Sequence, residues 1–324
     1  MWKSIATNAA LFLVSITVAL GAGELVMRLK NRSMQNYDIE MWRYAKELKT
    51  LSSDPRVGHE HLPSKSAVLQ SVTIRTNQFG LRGGDIAPSR GERRRILFLG
   101  SSITLGWGVA EEDTVTARIE KKFREQKADV EVLNAGVGNY NAPRYVGLFM
   151  SRLKELQPTD IVVHYFLRDA EALGIDTGNA LLRNSELAIT LWIAAGQALR
   201  PAKDDAQLEH YRSVYAPASP GFVAMKASLK ELSDHAKKNN IRLYLAMIPD
   251  VHDLAKYRFD FVHDTMKAVS KELGFEYIDL LPSMKDLVPA TLWAMPGDPH
   301  PNALGHQRMA EAIFPVLWRD QAAR

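Results

Sequence analysis

The chain has 324 residues, 46% hydrophobic and 24% charged, a balance that excludes general disorder and suits one large α/β domain or two small ones. A formal net charge of +4 is too small to argue for a nucleic-acid partner. There is no cysteine, which excludes disulfides, thiolate metal sites and cysteine nucleophiles and leaves the compartment open.

From Ile5 to Gly23 no residue is charged, and Leu11 to Leu20 is strongly apolar. The run matches the roughly 20 residues needed to cross a bilayer core. Lys3 precedes it, Glu24 closes it, and Arg28, Lys30 and Arg32 follow. Two readings stand: an uncleaved anchor over residues 1–30, or a signal peptide cut near Ala19, Gly21 or Gly23. The length of the run, continued by Leu25-Val26-Met27, favours the anchor. The positive-inside rule counts against it, because more basic residues follow the segment than precede it.

Residues 31–92 read as a lead-in segment packed on the main domain. Tyr37 to Leu48 has the pattern of an amphipathic helix. Val72 to Thr76 alternates like a strand and Asn77-Gln78-Phe79-Gly80 turns it. His59 and His61 lie in a loop-like stretch; two histidines at such spacing could bind metal, but the sequence shows no carboxylate geometry that would complete a site. The basic run Arg90 to Arg95 reads as a solvated link before the first strand.

From Arg95 the pattern becomes regular. Strands are expected at Ile96–Leu99, Val130–Leu133, Ile161–Phe166, Ile241–Ile248 and Phe275–Ile278. Helices are expected at Glu111–Gln126, Ala142–Leu156, Phe222–Lys238, Lys256–Leu273 and Ala303–Trp318. Strands alternating with helices imply a parallel sheet covered on both faces, over residues 93–324. The interval 168–240 is too long for one crossover and reads as an insertion. Within it, Leu181 to Leu199 is expected to be an added helix covering the site or packing on the sheet. Arg183, Asn184 and Glu186 at its start argue against a second membrane contact.

Four places combine polar residues with strand ends. The first is Gly100-Ser101-Ser102. A serine at the C-terminal tip of a buried parallel strand sits where open α/β sheets place ligands, so Ser102 is a candidate nucleophile; the alternative is a plain Gly/Ser turn. The second is Asn134-Ala135-Gly136-Val137-Gly138-Asn139-Tyr140-Asn141. Its glycines would let the backbone approach a ligand, and Asn141 would cap the next helix ahead of Pro143. The third is Arg168-Asp169-Ala170-Glu171. The fourth is Gly297-Asp298-Pro299-His300-Pro301-Asn302, in which Asp298 can orient His300 as the third member of Ser-His-Asp chemistry does. His306 falls within the last helix as a packing or supporting residue.

Gly100-Ser-Ser-Ile-Thr-Leu-Gly106, Asn134 to Tyr140, Tyr165-Phe-Leu-Arg-Asp169 and Asp298-Pro-His300-Pro-Asn resemble, in order and spacing, the four motif blocks of the SGNH/GDSL hydrolases. The resemblance spans roughly residues 93 to 320. It implies a flavodoxin-like three-layer α/β/α fold with a five-stranded parallel sheet and a serine esterase or acyltransferase site needing no cofactor or metal. It makes Ser102 the nucleophile, His300 the general base and Asp298 the residue orienting His300. It also implies a backbone oxyanion donor at Gly138 or Asn139. Two departures matter. Ser101 stands where the family has aspartate, a structural position. Arg168 stands where the family has the asparagine whose amide helps hold the oxyanion, and loss of one such donor typically costs on the order of 10²–10³ in rate.

Membrane-anchored, envelope-facing members of the family often act on acetyl groups of cell-surface polysaccharides, and the lead-in segment and third block look most like that kind. The resemblance therefore implies ester hydrolysis on an acylated carbohydrate, by a domain on the periplasmic side of the inner membrane. An O-acetyltransferase using the same serine and an inactive polysaccharide-binding or scaffold domain are the alternatives.

Overall fold

The computed structural model describes residues 2–31, 36–174, 179–198, 206–295 and 298–322. Arg32, Leu199 and Gly297 fall outside them. In chain order the elements begin with α1 (Trp2–Asn31), α2 (Tyr37–Leu48) and two hairpins, β1 (Lys49–Leu51) with β2 (His59–His61) and β3 (Ser66–Leu69) with β4 (Val72–Arg75). There follow β5 (Arg94–Gly100), α3 (Ser102–Leu105), α4 (Val115–Glu125), β6 (Val130–Gly136), α5 (Ala142–Ser151) and β7 (Asp160–Tyr165). Then come α6 (Ala180–Asn184), α7 (Glu186–Ala198), α8 (Ala206–Val214), α9 (Pro220–Lys238), β8 (Arg242–Met247) and α10 (Asp260–Leu273). The chain closes with β9 (Glu276–Asp279), the hairpin β10 (Trp293–Met295) and β11 (Asp298–Pro301), and α11 (Ala303–Ala322).

The chain divides into two compact units, residues 1–46 with 175–202 and residues 47–174 with 203–324. The larger holds a five-stranded, all-parallel sheet in the order β6-β5-β7-β8-β9. Numbered within the sheet this is 2-1-3-4-5, the flavodoxin-like order, whose switch point lies between the strands here called β5 and β7. Alternate residues of β5 face opposite ways. Leu97 and Leu99 join one core with Tyr145 and Phe149 of α5 and Leu229 of α9; Ile96 and Phe98 join the other with Phe123 of α4 and Ile313 of α11. The helices thus cover both faces, as the β/α alternation predicts.

The link Arg90 to Arg95 is not solvated throughout. β5 starts early enough to include Arg94 and Arg95, paired with Val130 and Glu131, and both side chains are buried. Their charges are compensated: Arg94 grips Asp160 bidentately at 2.9 and 2.8 Å, and Arg95 donates to Glu131 at 2.5 Å and to the Leu156 carbonyl at 2.8 Å. A buried guanidinium is tolerated only with such partners. Several expected helices are also shortened. The one expected from Glu111 is broken by Thr114, whose hydroxyl caps α4. The one expected from Lys256 starts at Asp260, since Asp253 draws the Lys256 amide into a turn. The stretch after Ser151 is a 3-10 turn, Leu153–Leu156, and the third strand ends at Tyr165 rather than Phe166.

In the smaller unit, Ser4–Asn31 is long and apolar enough to cross a membrane, by length and composition, and is the only such helix among the described residues. The segment expected as one added helix is two, α6 and α7, and it is grouped with α1 rather than with the sheet. The reason is local: the Glu24 carboxylate accepts bonds from Ser185 Oγ (2.8 Å) and the amides of Glu186 (3.1 Å) and Leu187 (3.0 Å), where α7 begins. A carboxylate there satisfies helix donors that otherwise lack partners.

Candidate active site

Ser102 opens α3 at the C-terminal tip of β5, beside the switch point. Two glycines let α3 settle onto the strand ends. A Cβ on Gly100 would lie 2.0 Å from Thr104 Oγ1, and one on Gly136 would lie 2.1 Å from the Leu105 nitrogen. Gly136 therefore admits the backbone of α3, not a ligand as its sequence context suggested.

Asp298 and His300 lie on β11 rather than in a free loop. The strand is paired with β10 and tied to α11 by Asn302, whose side-chain carbonyl accepts from the Leu304 and Gly305 amides. His300 Nε2 lies 2.8 Å from Ser102 Oγ, and His300 Nδ1 lies 2.5 Å from Asp298 Oδ1. The carboxylate can only accept, so Nδ1 carries the proton and the lone pair of Nε2 faces the serine. Asp298 is buried and His300 is 15% exposed, so the pair is shielded while the imidazole edge stays reachable. Residues 198 positions apart in sequence thus form one hydrogen-bonded chain. His306 is buried in α11 and accepts from the Val115 amide at 3.0 Å, which fastens α11 to the start of α4.

In the second block Asn141 caps α5, accepting from the Arg144 amide. Of the two residues the family alignment leaves open, Asn139 has φ +64° and makes the left-handed turn. The Gly138 carbonyl is held by His59 Nε2 at 3.1 Å and faces Lys49 Nζ at 3.5 Å. In a planar trans peptide the Asn139 N–H then points the opposite way. In the third block Asp169 is buried and accepts from the Phe166 amide. Arg168 is 52% exposed and donates through Nε to Glu171 at 3.2 Å.

Sequence reasoning missed the part played by residues 49–82. Besides His59 and Lys49 at Gly138, Arg82 is buried and donates to the carbonyls of Leu105, Gly106 and Val109, in the stretch that follows Ser102. Gln70 Nε2 reaches Asp298 Oδ2 at 3.4 Å. Gln70 and Ser71 form the β3–β4 turn with φ of +51° and +61°, conformations that side-chain-bearing residues enter at a cost. A two-residue hairpin without Asn-Gly or Asp-Gly was the available signal. Replacing Gln70 by Ala is expected to lower kcat/KM on an ester about tenfold, near the lower end of the roughly 1.5–3 kcal/mol of a hydrogen bond to a charged group. A folded Gln70→Ala protein with unchanged kcat/KM would show that Asp298 does not depend on this bond.

Burial keeps His59, His61 and His164 neutral. Burial pushes His59 down to about 3, His61 to about 4 and His164 to about 3. His61 Nδ1 pairs with the Gly80 carbonyl at 2.9 Å, and His164 Nδ1 with Thr104 Oγ1 at 3.1 Å. Unfolded, these rings take up protons near pH 6.5, so their contribution to stability is full above that pH and is lost as pH falls towards 4. The urea midpoint is expected to drop steadily from pH 6.5 to 4, less steeply in His61→Gln; equal slopes would contradict this.

A family model of GDSL-like lipases/acylhydrolases matches residues 98–308, well over half of the chain. The chain belongs to that family. It is accordingly an enzyme of the ester-bond hydrolase class. No curated protein matches it. Among solved structures, it is similar to a protein of the G-D-S-L lipolytic family from Desulfitobacterium hafniense: 16% identity, 69% of this chain and 99% of that one, TM-score 0.41. It is similar to a psychrotrophic esterase from a Pseudoalteromonas species at 15% identity, 69% and 98% coverage and TM-score 0.41. It is also similar to a catalytic mutant of an acetylxylan esterase from Geobacillus stearothermophilus at 16%, 69% and 94%, and 0.44.

Proposed function

We propose that this GDSL-family domain is a serine esterase that removes acetyl or short acyl groups from an envelope or exported polysaccharide, held at the inner membrane by α1 with its catalytic unit on the periplasmic side. The observation that carries the chemistry is the hydrogen-bonded chain Ser102–His300–Asp298. His300 Nε2 takes the Ser102 proton as Oγ bonds to the ester carbonyl carbon. The imidazolium then returns that proton to the leaving alkoxide as its C–O bond breaks. Water, deprotonated in turn by His300, releases the acid and restores Ser102. The amides of Ser102 and Asn139 are the oxyanion donors in this reading. The substrate class follows the resemblance of the third block and the N-terminal helix to envelope-facing family members. Retention of α1 as an anchor is supported by the hydrogen bonds of Glu24 and Asn31 to residues 185–187.

Arg168 is not needed for this chemistry while it is paired with Glu171. Arg168→Asn is expected to raise kcat by roughly 10²- to 10³-fold by adding a neutral donor, the inverse of the usual loss. A fall in kcat in the folded variant would mean that the guanidinium itself serves the oxyanion. The function is tested by incubating the full chain in detergent with an acetylated oligosaccharide and following acetate release. Acetate release that disappears in Ser102→Ala supports esterase action; acetyl transfer to an added oligosaccharide would select the O-acetyltransferase reading, and no turnover the inactive one.

A further inference from the structure

Helix α7 has 13 residues and no charge from Leu187 to Ala198. Its first half packs on the rest of the unit and its last turn, from Ala194, is exposed all round. Ile189 is buried at 9% exposure, while Leu191 and Trp192 are 61% and 65% exposed, and Ala195 continues their stripe one turn on. Exposed apolar surface on both a tryptophan and a leucine of one short helix is unusual for a surface in water.

The position of α7 within its unit says what meets that stripe. Its start is fixed to Glu24, the first charge after the apolar run of α1, and Arg28 donates to the Asn184 carbonyl at 3.4 Å. A Cβ on Gly23 would approach Leu187 Cδ2 at 3.2 Å, so the two helices cross in close contact there. Its other end is tied back to α2, where Gln197 donates to Asp38 at 2.8 Å. Both ends are therefore held by polar groups beyond the charge-free run, whose length of roughly 30 Å matches a hydrocarbon core. Along that run Leu11, Phe12, Leu13 and Val18 are themselves exposed, as lipid-facing side chains are.

Resting on the anchor reading of α1, we infer that α7 is an interfacial helix whose Leu191–Trp192–Ala195 face lies in the lipid at the headgroup boundary. Attachment of α7 to α1 at Gly23 and Glu24, where the apolar run ends, identifies the occupant as lipid. An amphipathic ring such as Trp192 is favoured at that depth, and a helix held flat there buries its apolar face by about 5–10 Å. On this reading α7 is a second, shallow attachment to the bilayer.

The chain has no cysteine, so single nitroxide labels can be placed without background. The full chain is reconstituted in vesicles of phosphatidylcholine and phosphatidylglycerol as Trp192→Cys, Ala195→Cys and Leu13→Cys. Collision of each label with oxygen and with a water-soluble nickel chelate is measured. The inference predicts oxygen contact well above nickel contact at 192 and 195 as well as at 13. Nickel-accessible labels at 192 and 195 with a lipid-facing label at 13 would overturn it and leave the anchor intact. Nickel access at all three would overturn the anchor reading too. Labels at 192 and 195 sheltered from both reagents would mean a protein cover, and would overturn it as well.

Discussion

Ser102→Ala and His300→Ala are each expected to lower kcat on an ester by about 10⁴- to 10⁶-fold, and the double variant no further. The geometry gives the reason. Ser102 Oγ has a proton acceptor aimed at it, His300 Nε2 at 2.8 Å, and the imidazole has that hydroxyl to activate. Removing either leaves the other without a reaction to perform, so the losses overlap instead of adding. What remains comes from binding and from the oxyanion donors, which neither substitution touches. Both side chains lie at the surface of the site, so the variants should melt within a few degrees of the parent. Losses that multiply in the double variant would indicate that the two residues act in separate steps.

Asp298→Asn is the second large effect, expected to lower kcat about 10⁴-fold. The carboxylate accepts from His300 Nδ1 at 2.5 Å and from the His300 amide at 3.2 Å, and so fixes both tautomer and ring orientation. An amide nitrogen facing Nδ1 donates instead, which moves the imidazole proton to Nε2 and turns the base away from its task. At 1.36 kcal/mol per tenfold the loss is about 5 kcal/mol of transition-state stabilisation. Because the shape is unchanged, KM should stay close to that of the parent. The check is kcat and KM of Asp298→Asn beside Asp298→Ala. A kcat within tenfold of the parent would remove Asp298 from the mechanism.

The sheet and the Ser-His-Asp chain were legible in the sequence because their signals are local. Ile96 to Leu99 is an apolar run closed by a glycine, and Asp298 and His300 sit two apart ahead of a helix. Buried charge was not legible. Arg94 and Arg95 read as solvent-facing because their compensating partners, Asp160 and Glu131, are 66 and 36 residues away. The same holds for Gln70, Arg82, His59 and Lys49, whose contacts with the site depend on where two short hairpins dock. No period in residues 49–82 marks that docking, and only the left-handed pair Gln70-Ser71 leaves a trace of it. Gly136 shows the opposite case: a glycine there signals a close approach, but the approaching group is the backbone of α3. The break between α6 and α7 was hidden because it is set by Glu24, more than 150 residues upstream.

In the proposed reaction Ser102 carries the acyl group. The most direct measurement is peptide mass spectrometry of the full chain after reaction with a fluorophosphonate ester, with residual esterase activity followed in parallel. One adduct is expected, on the peptide containing Ser102, formed in step with loss of activity and absent in Ser102→Ala. An adduct on another residue with loss of activity, or turnover in Ser102→Ala equal to that of the parent, would contradict it.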